Sequence, residues 1–324
     1  MPRKKKDEMR DDTTPLSLVE LGKKYGGVLN VGSSEEFKYE RISFGIPALD
    51  KLLGGGIPKK RLTLLTGQSN AGKTYLASQA VVNVQKSGGT AVWLDSEMSW
   101  DKEWMAKCGV DTDNILLAQP LTGEEAFNTV RDLMVDGVDL IVLDSIAGLV
   151  PSAVHDEDFS YNPMAWQARL INTSLPRLFP HFKHGSALVV INQVRSSMGP
   201  VALDAMPGGV GQVFFSHMIL QAKRSGWIEE NKVKVGFDIE VRLRKTKAGG
   251  IPFDSCTIPF RLDGGFDMIE TWVREALDMG IIKQSGPWYD LPDEGEKLMG
   301  LNNVKTFYIE NPERFELLKV SVDG

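Results

Sequence analysis

The sequence predicts an α/β fold, with a mostly parallel central sheet covered by helices on both faces, an antiparallel extension and a small C-terminal α+β lobe. Three observations carry this expectation. Apolar runs recur at 62–66, 90–95, 140–144 and 187–193, too continuous for strands with one wet face. Helical stretches, Glu124 to Val135 and Met164 to Leu178 among them, lie between those runs. The first run enters Gly67-Gln68-Ser69-Asn70-Ala71-Gly72-Lys73-Thr74, which has the spacing of a phosphate-binding loop between a strand and a helix.

The elements follow in order. Residues 1–15 are charged and poor in apolar side chains, which predicts a mobile arm. Leu16 to Tyr25 reads as a short amphipathic helix ended by Gly26-Gly27, with an apolar face for its own domain or for a neighbouring subunit to cover. Arg41 to Gly56 reads as a strand and a helix leading into Gly54-Gly55-Gly56, and Arg61 opens the strand before the phosphate loop. Strands are expected at Thr90–Asp95, Asn114–Gln119, Leu140–Asp144 and Ala187–Gln193. Residues 195–211 are glycine-rich and aperiodic, a long loop. Met218–Lys223, Phe237–Lys247 and Thr257–Leu262 read as strands extending the sheet as antiparallel hairpins. Asp267 to Met279 is a helix closed by Gly280, and a terminal helical stretch completes a small lobe. The expected divisions are an arm and helix over 1–40, a core over 41–265 and a lobe over 266–324.

Length and composition fit this plan. The 324 residues suffice for one large core and a smaller lobe, and 42% hydrophobic with 25% charged content is ordinary for a globular chain. No run approaches membrane-spanning length and no signal-peptide core follows Arg3-Lys4-Lys5-Lys6, so a cytoplasmic location with no membrane partner is expected. Cys108, Cys256 and four scattered histidines give no metal-ligand spacing and argue against structural zinc or a disulfide. The net charge of -6 is uneven: 195–250 carries nine Lys and Arg against five Asp and Glu, and 251–324 carries seven against fourteen. The middle segment suits a phosphate backbone or is a solvated basic face.

The chemistry collects around the loop. Glycine permits the turn that points successive N–H groups at an anion on the helix N-terminus. Lys73 reaches the outer phosphates and the Thr74 hydroxyl holds magnesium, whose shell Asp144 orients from its strand end. Glu97, after the strand ending Asp95-Ser96, is the candidate base for activating water. Gln193 ends another strand at the same sheet edge, where an uncharged side chain can report the outermost phosphate to the loop that follows. Asp101 and Trp104 suit hydrogen bonding to and stacking on a base. Strand periodicity puts Arg242 and Arg244 on one face and Lys245 and Lys247 on the other, where the lysines share a nucleotide phosphate, a nucleic-acid phosphate or solvent counterions.

These residues, with Ser43-Phe44-Gly45, Leu49-Asp50, Gly109-Val110-Asp111, Gln119-Pro120, Asp144-Ser145, Ile191-Asn192-Gln193-Val194-Arg195, Gly208-Gly209, Lys245-Thr246-Lys247 and Gly286-Pro287-Trp288-Tyr289, fall in an order that resembles the RecA family of recombinases. The resemblance runs from about 28 to 315. It implies a P-loop ATPase core and a DNA-dependent ATPase using ATP and Mg2+. Such a protein polymerises on single-stranded DNA as a helical filament and exchanges strands with homologous duplex DNA. It further implies that Glu97 is the catalytic glutamate, Gln193 the γ-phosphate sensor, and Asp101 and Trp104 the adenine contacts, with tryptophan replacing a tyrosine. Lys245 and Lys247 match the pair that reaches the neighbour's ATP, and the helix near Leu18 the polymerisation element. Residues 156–165 and 195–211 match two DNA-binding loops. Met164 and Met198 match wedging residues of those loops, and Arg169, Asn172, Arg195, Gly208 and Gly209 match backbone contacts. Single-strand-binding and mediator proteins are expected partners. The sequence departs from the family in an acidic first loop, a second loop about two residues shorter, and Tyr75 after Thr74 where a small residue is usual; this divergence resembles phage-encoded members. The alternatives are a non-catalytic ATP-switched mediator and a hexameric helicase-like motor.

Overall fold

A computed structural model describes residues 16–26, 38–155, 164–194, 206–209, 211–230, 232–292, 295 and 297–323. The chain divides into two units, 1–39 and 40–324. In the first, α1 (Leu18–Lys24) is a single short helix. Ser17 and Glu20 start it with a reciprocal capping box, the Glu20 N–H donating to Ser17 Oγ at 3.3 Å and the Ser17 N–H to Glu20 Oε2 at 3.0 Å. Leu18 and Val19 are exposed. The expected arm over 1–15 lies outside the described residues.

The second unit begins with β1 (Arg41–Ile42), α2 (Pro47–Leu53) and β2 (Ile57–Pro58). β3 (Leu62–Gly67) leads through the phosphate-loop sequence into α3 (Lys73–Lys86). There follow β4 (Ala91–Asp95), α4 (Lys102–Lys107), β5 (Leu116–Ala118), α5 (Gly123–Val135), β6 (Leu140–Asp144), α6 (Ser152–His155), α7 (Met164–Leu178), β7 (Ala187–Gln193) and α8 (Gly211–Phe215). Then come β8 (Met218–Glu230), β9 (Val233–Thr246), β10 (Ser255–Arg261), β11 (Gly265–Phe266) and α9 (Met268–Asp278). The lobe ends with β12 (Lys283–Ser285), β13 (Trp288–Asp290), β14 (Lys297–Met299), α10 (Leu301–Glu310) and α11 (Pro312–Asp323).

Among the described residues one sheet has nine strands in the order β11-β10-β9-β8-β3-β7-β6-β4-β5, parallel from β8 to β5 and antiparallel beyond β8. Its apolar runs are continuous because alternate residues enter different cores. Val189 and Ile191 of β7, with Leu140 and Val142 of β6, pack on the α2 and α3 face. Leu188 and Val190, with Ile141 and Leu143, pack on the α5 and α7 face. A third cluster, with Trp272, Val273, Tyr289, Val304, Tyr308 and Leu318, forms the C-terminal lobe. Lys51–Glu275 at 2.8 Å and Arg274–Asp238 at 3.0 Å link that lobe to the sheet unit.

Three expectations need correction. The strand expected over 114–119 is only β5, at the sheet edge, with Leu116 64% exposed, so apolar character there does not mean burial on both faces. The strand expected to stop at Lys223 continues to Glu230. Register irregularities at Arg224/Gly226 and Ile228/Glu229 absorb its bend, so Gly226 does not end it. Over Met218–Ala222, β8 also pairs parallel with β3 on one edge while its other edge forms the antiparallel hairpin with β9.

Candidate functional site

Parallel register sets the site. Gly67 of β3 lies beside Gln193 of β7, and Asp95 of β4 beside Asp144 of β6, so four strand ends open on one sheet edge. Between β3 and α3 the backbone turns through left-handed conformations at Asn70 (φ 58°) and Gly72 (φ 86°), a local geometry that gathers N–H groups into an anion nest. A Cβ at Gly72 would stand 2.3 Å from Ile239 Cδ1, so glycine is required there on two counts.

One pocket is lined by Ser69, Asn70, Ala71, Gly72, Lys73, Thr74, Glu97, Asp101, Trp104, Asp144 and Gln193, every one of them singled out in the sequence, together with Tyr75, Ser99, Met105 and Ile191. Gly67 and Gln68 line a neighbouring groove with Lys223, Glu240, Arg242 and Arg244. Lys73 Nζ donates to the Gln68 carbonyl at 2.7 Å. Burial pulls its pKa down, and the Asp144 and Glu97 carboxylates oppose that shift. The Thr74 hydroxyl donates to Asp144 Oδ2 at 3.0 Å. Burial raises Asp144 to about 7; Glu97 and Asp95 add to the rise, while the Thr74 hydrogen bond and Lys73 oppose it. The Thr74 hydroxyl and the Asp144 carboxylate, two oxygen ligands side by side, fit a magnesium ion held by Thr74 and Asp144.

Glu97 follows β4 and receives two hydrogen bonds on Oε1, one from the Ser145 hydroxyl and one from Gln193 Nε2 at 3.2 Å. Asp95 directs the chain beyond it. Its carboxylate accepts from the Ser99 N–H at 3.1 Å and the Trp100 N–H at 2.9 Å, turning α4 toward the pocket. Asp101 caps that helix, accepting from the Trp104 N–H at 3.0 Å, and so starts α4 as well as lining the pocket. The anchoring roles of Asp95 and Ser145 escaped the sequence reading, because a strand-ending Asp and the residue after another carry no distinguishing spacing.

Lys245 and Lys247 are absent from the pocket lining within one chain. Lys245 Nζ donates to the Val213 and Phe214 carbonyls at 2.6 and 3.1 Å, and Lys247 Nζ lies 6.0 Å from the Phe214 ring.

Of the candidate nucleic-acid residues, Arg195 and Met198 lie outside the described residues, as does the side chain of Met164. So do 156–163, most of 195–211 and with them most of both expected loops. Arg169 is exposed on α7, its guanidinium 5.9 Å from the Trp166 ring. Gly208 (φ 83°) runs so close to α7 that a Cβ would stand 2.3 Å from Ile171 Cδ1, and Gly209 passes Asn172. A buried amide pair fixes this segment: Asn192 Nδ2 donates to Gln212 Oε1 at 2.7 Å and to the Pro207 carbonyl at 3.0 Å. Gln212 Nε2 donates in turn to the Gly209 carbonyl at 3.1 Å. The segment from 206 is thereby tied to β7 one residue before Gln193. The sequence reading missed Gln212, which stands just past the glycine-rich stretch, in a short helix with no distinguishing spacing.

The family model for the RecA N-terminal domain matches residues 13–267. The chain is 34% identical to Protein RecA of Aquifex pyrophilus over 323 residues, covering 98% of this chain and 92% of that one. It is 35% identical to Protein RecA of Aquifex aeolicus over 303 residues, covering 92% and 87%. Against Protein RecA of Acinetobacter baumannii the identity is 31% over 324 residues, covering 98% and 92%. The sheet edge, its phosphate loop and these likenesses together make the chain a member of the RecA family, the ATP-dependent DNA recombinases of recombination and repair.

Proposed function

We propose that the chain binds ATP with Mg2+ at the phosphate loop, hydrolyses it in response to single-stranded DNA, and pairs and exchanges that strand with homologous duplex DNA as a helical filament. One observation carries this reading: Lys73, Thr74, Glu97, Asp144 and Gln193 line one pocket that also contains Asp101 and Trp104. The loop N–H groups and Lys73 hold the phosphates, and Glu97 accepts the proton of the attacking water. Mg2+, held by Thr74 and Asp144, would supply charge neutralisation at the phosphates.

Gln193 donates to the same Glu97 oxygen that the base chemistry needs. A terminal phosphate that draws the Gln193 amide away frees Glu97 and moves the end of β7, to which the 206–212 segment is tied. Arg169, Asn172, Arg195, Gly208 and Gly209 then hold the DNA backbone, with Met164 and Met198 wedged between bases. Lys245 and Lys247, away from their own chain's pocket, serve the ATP of an adjoining copy, and α1 with its exposed Leu18 and Val19 joins the copies.

ATP turnover measured with and without single-stranded DNA tests the reading. DNA should raise turnover, and Lys73→Ala should abolish tight nucleotide binding and assembly. Turnover absent under both conditions would favour an ATP-switched mediator, and closed rings on DNA in electron micrographs would favour a helicase-like motor.

A further inference from the structure

Tyr75 stands in the first turn of α3, directly after Thr74, and lines the pocket beside Asp101 and Trp104. We propose that Tyr75 selects the nucleotide base: its ring and that of Trp104 form a corner that takes a planar purine, with Asp101 at the base's edge. This rests on the proposed nucleotide site and adds Tyr75 to the adenine contacts that the family resemblance implies for Asp101 and Trp104.

The phosphate end of the pocket is fixed by the loop N–H groups and Lys73, which leaves the base to the α4 side, where Asp101, Trp104 and Tyr75 gather. The Tyr75 and Trp104 rings are 5.3 Å apart at 73°, so a purine lying flat on one presents its edge to the other. Tyr75 is held from behind. Its ring lies 4.4 Å from Phe260, which lies 4.9 Å from Phe237, and both phenylalanines are buried. Asp101 already accepts one hydrogen bond as the cap of α4, and its carboxylate oxygens offer further acceptors. It therefore favours the 6-amino group of adenine over the 6-oxo group of guanine. A pyrimidine covers less of the two rings, so the corner discriminates by size where Asp101 discriminates by polarity.

Calorimetric titration of the full chain with ATP, GTP, CTP and inorganic tripolyphosphate, all with Mg2+, tests this. Tyr75→Phe should keep the wild-type preference for ATP. Tyr75→Leu should weaken ATP about tenfold and shrink its advantage over CTP by a similar factor, with tripolyphosphate affinity unchanged. Tyr75→Met, which fills the space without a ring, gives the same readout should the leucine variant not fold. A ringless variant that keeps the wild-type ATP-to-CTP ratio overturns the inference and leaves the nucleotide site standing. A wild-type chain that binds neither ATP nor tripolyphosphate overturns both.

Discussion

Glu97 sits on the exposed side of the pocket with both neighbours, Ser145 and Gln193, donating to one of its oxygens. Its chemistry is testable because glutamine keeps its shape and removes its basicity. Glu97→Gln should slow ATP turnover by at least about a hundredfold while nucleotide binding persists, as read by steady-state hydrolysis alongside equilibrium binding. Unchanged turnover would move the base elsewhere. His217 gives a second residue-scale prediction. Burial, helped by Arg61, Lys247 and Lys245, lowers its pKa to about 4 from the ordinary 6.5. The unfolded chain therefore binds the proton more readily, so this contribution to stability is complete above pH 6.5 and is lost as pH falls toward 4. Thermal melting of His217→Gln should depend less on pH across that window than the wild type. At this scale the sequence disclosed residues that the fold brings into one pocket, since the types and spacing of the glycine loop and the strand-end carboxylates form a recognisable motif. Asp95, whose work is to turn a backbone, has no such signature.

The apolar strands act as partitions between two cores. Leu64 of β3 is fully buried against the α5 and α7 face, and Leu64→Ala should cost about 2 to 5 kcal/mol in chemical denaturation. The amide pair of Asn192 and Gln212 does a different job, fastening the glycine-rich segment to the end of β7. Gln212→Ala leaves the buried Asn192 amide without its side-chain acceptor and should cost about 1 to 3 kcal/mol in the same measurement. An unaltered denaturation midpoint would mean that the fastening is redundant. Strand existence was legible because continuous apolar runs bounded by polar residues have few other uses. Strand length was not: β8 passes Gly226 because its partner β9 continues alongside and supplies the backbone hydrogen bonds.

For the whole molecule, charge distribution matters more than net charge. The chain carries -6 overall, yet its basic excess lies in 195–250, which includes Arg242 and Arg244 in the groove beside the phosphate loop. Single-stranded DNA affinity should fall with added salt, the logarithmic slope amounting to about -0.7 for each phosphate neutralised, and filter-binding across a salt series measures it. A salt-independent affinity would contradict backbone tracking by the loops. Among the described residues no helix is long and apolar enough to cross a membrane.

The order of elements, the wound sheet and the residues that gather in one pocket after the glycine loop were determined by sequence alone, because each is encoded by short-range periodicity or by a motif of fixed spacing. Only the tertiary structure decided that Tyr75 meets Trp104, that Gln193 and Ser145 converge on Glu97, and that Gln212 fastens Asn192. Those partners are 20 to 96 residues apart. Their encounters depend on strand register and helix packing, which no local pattern records.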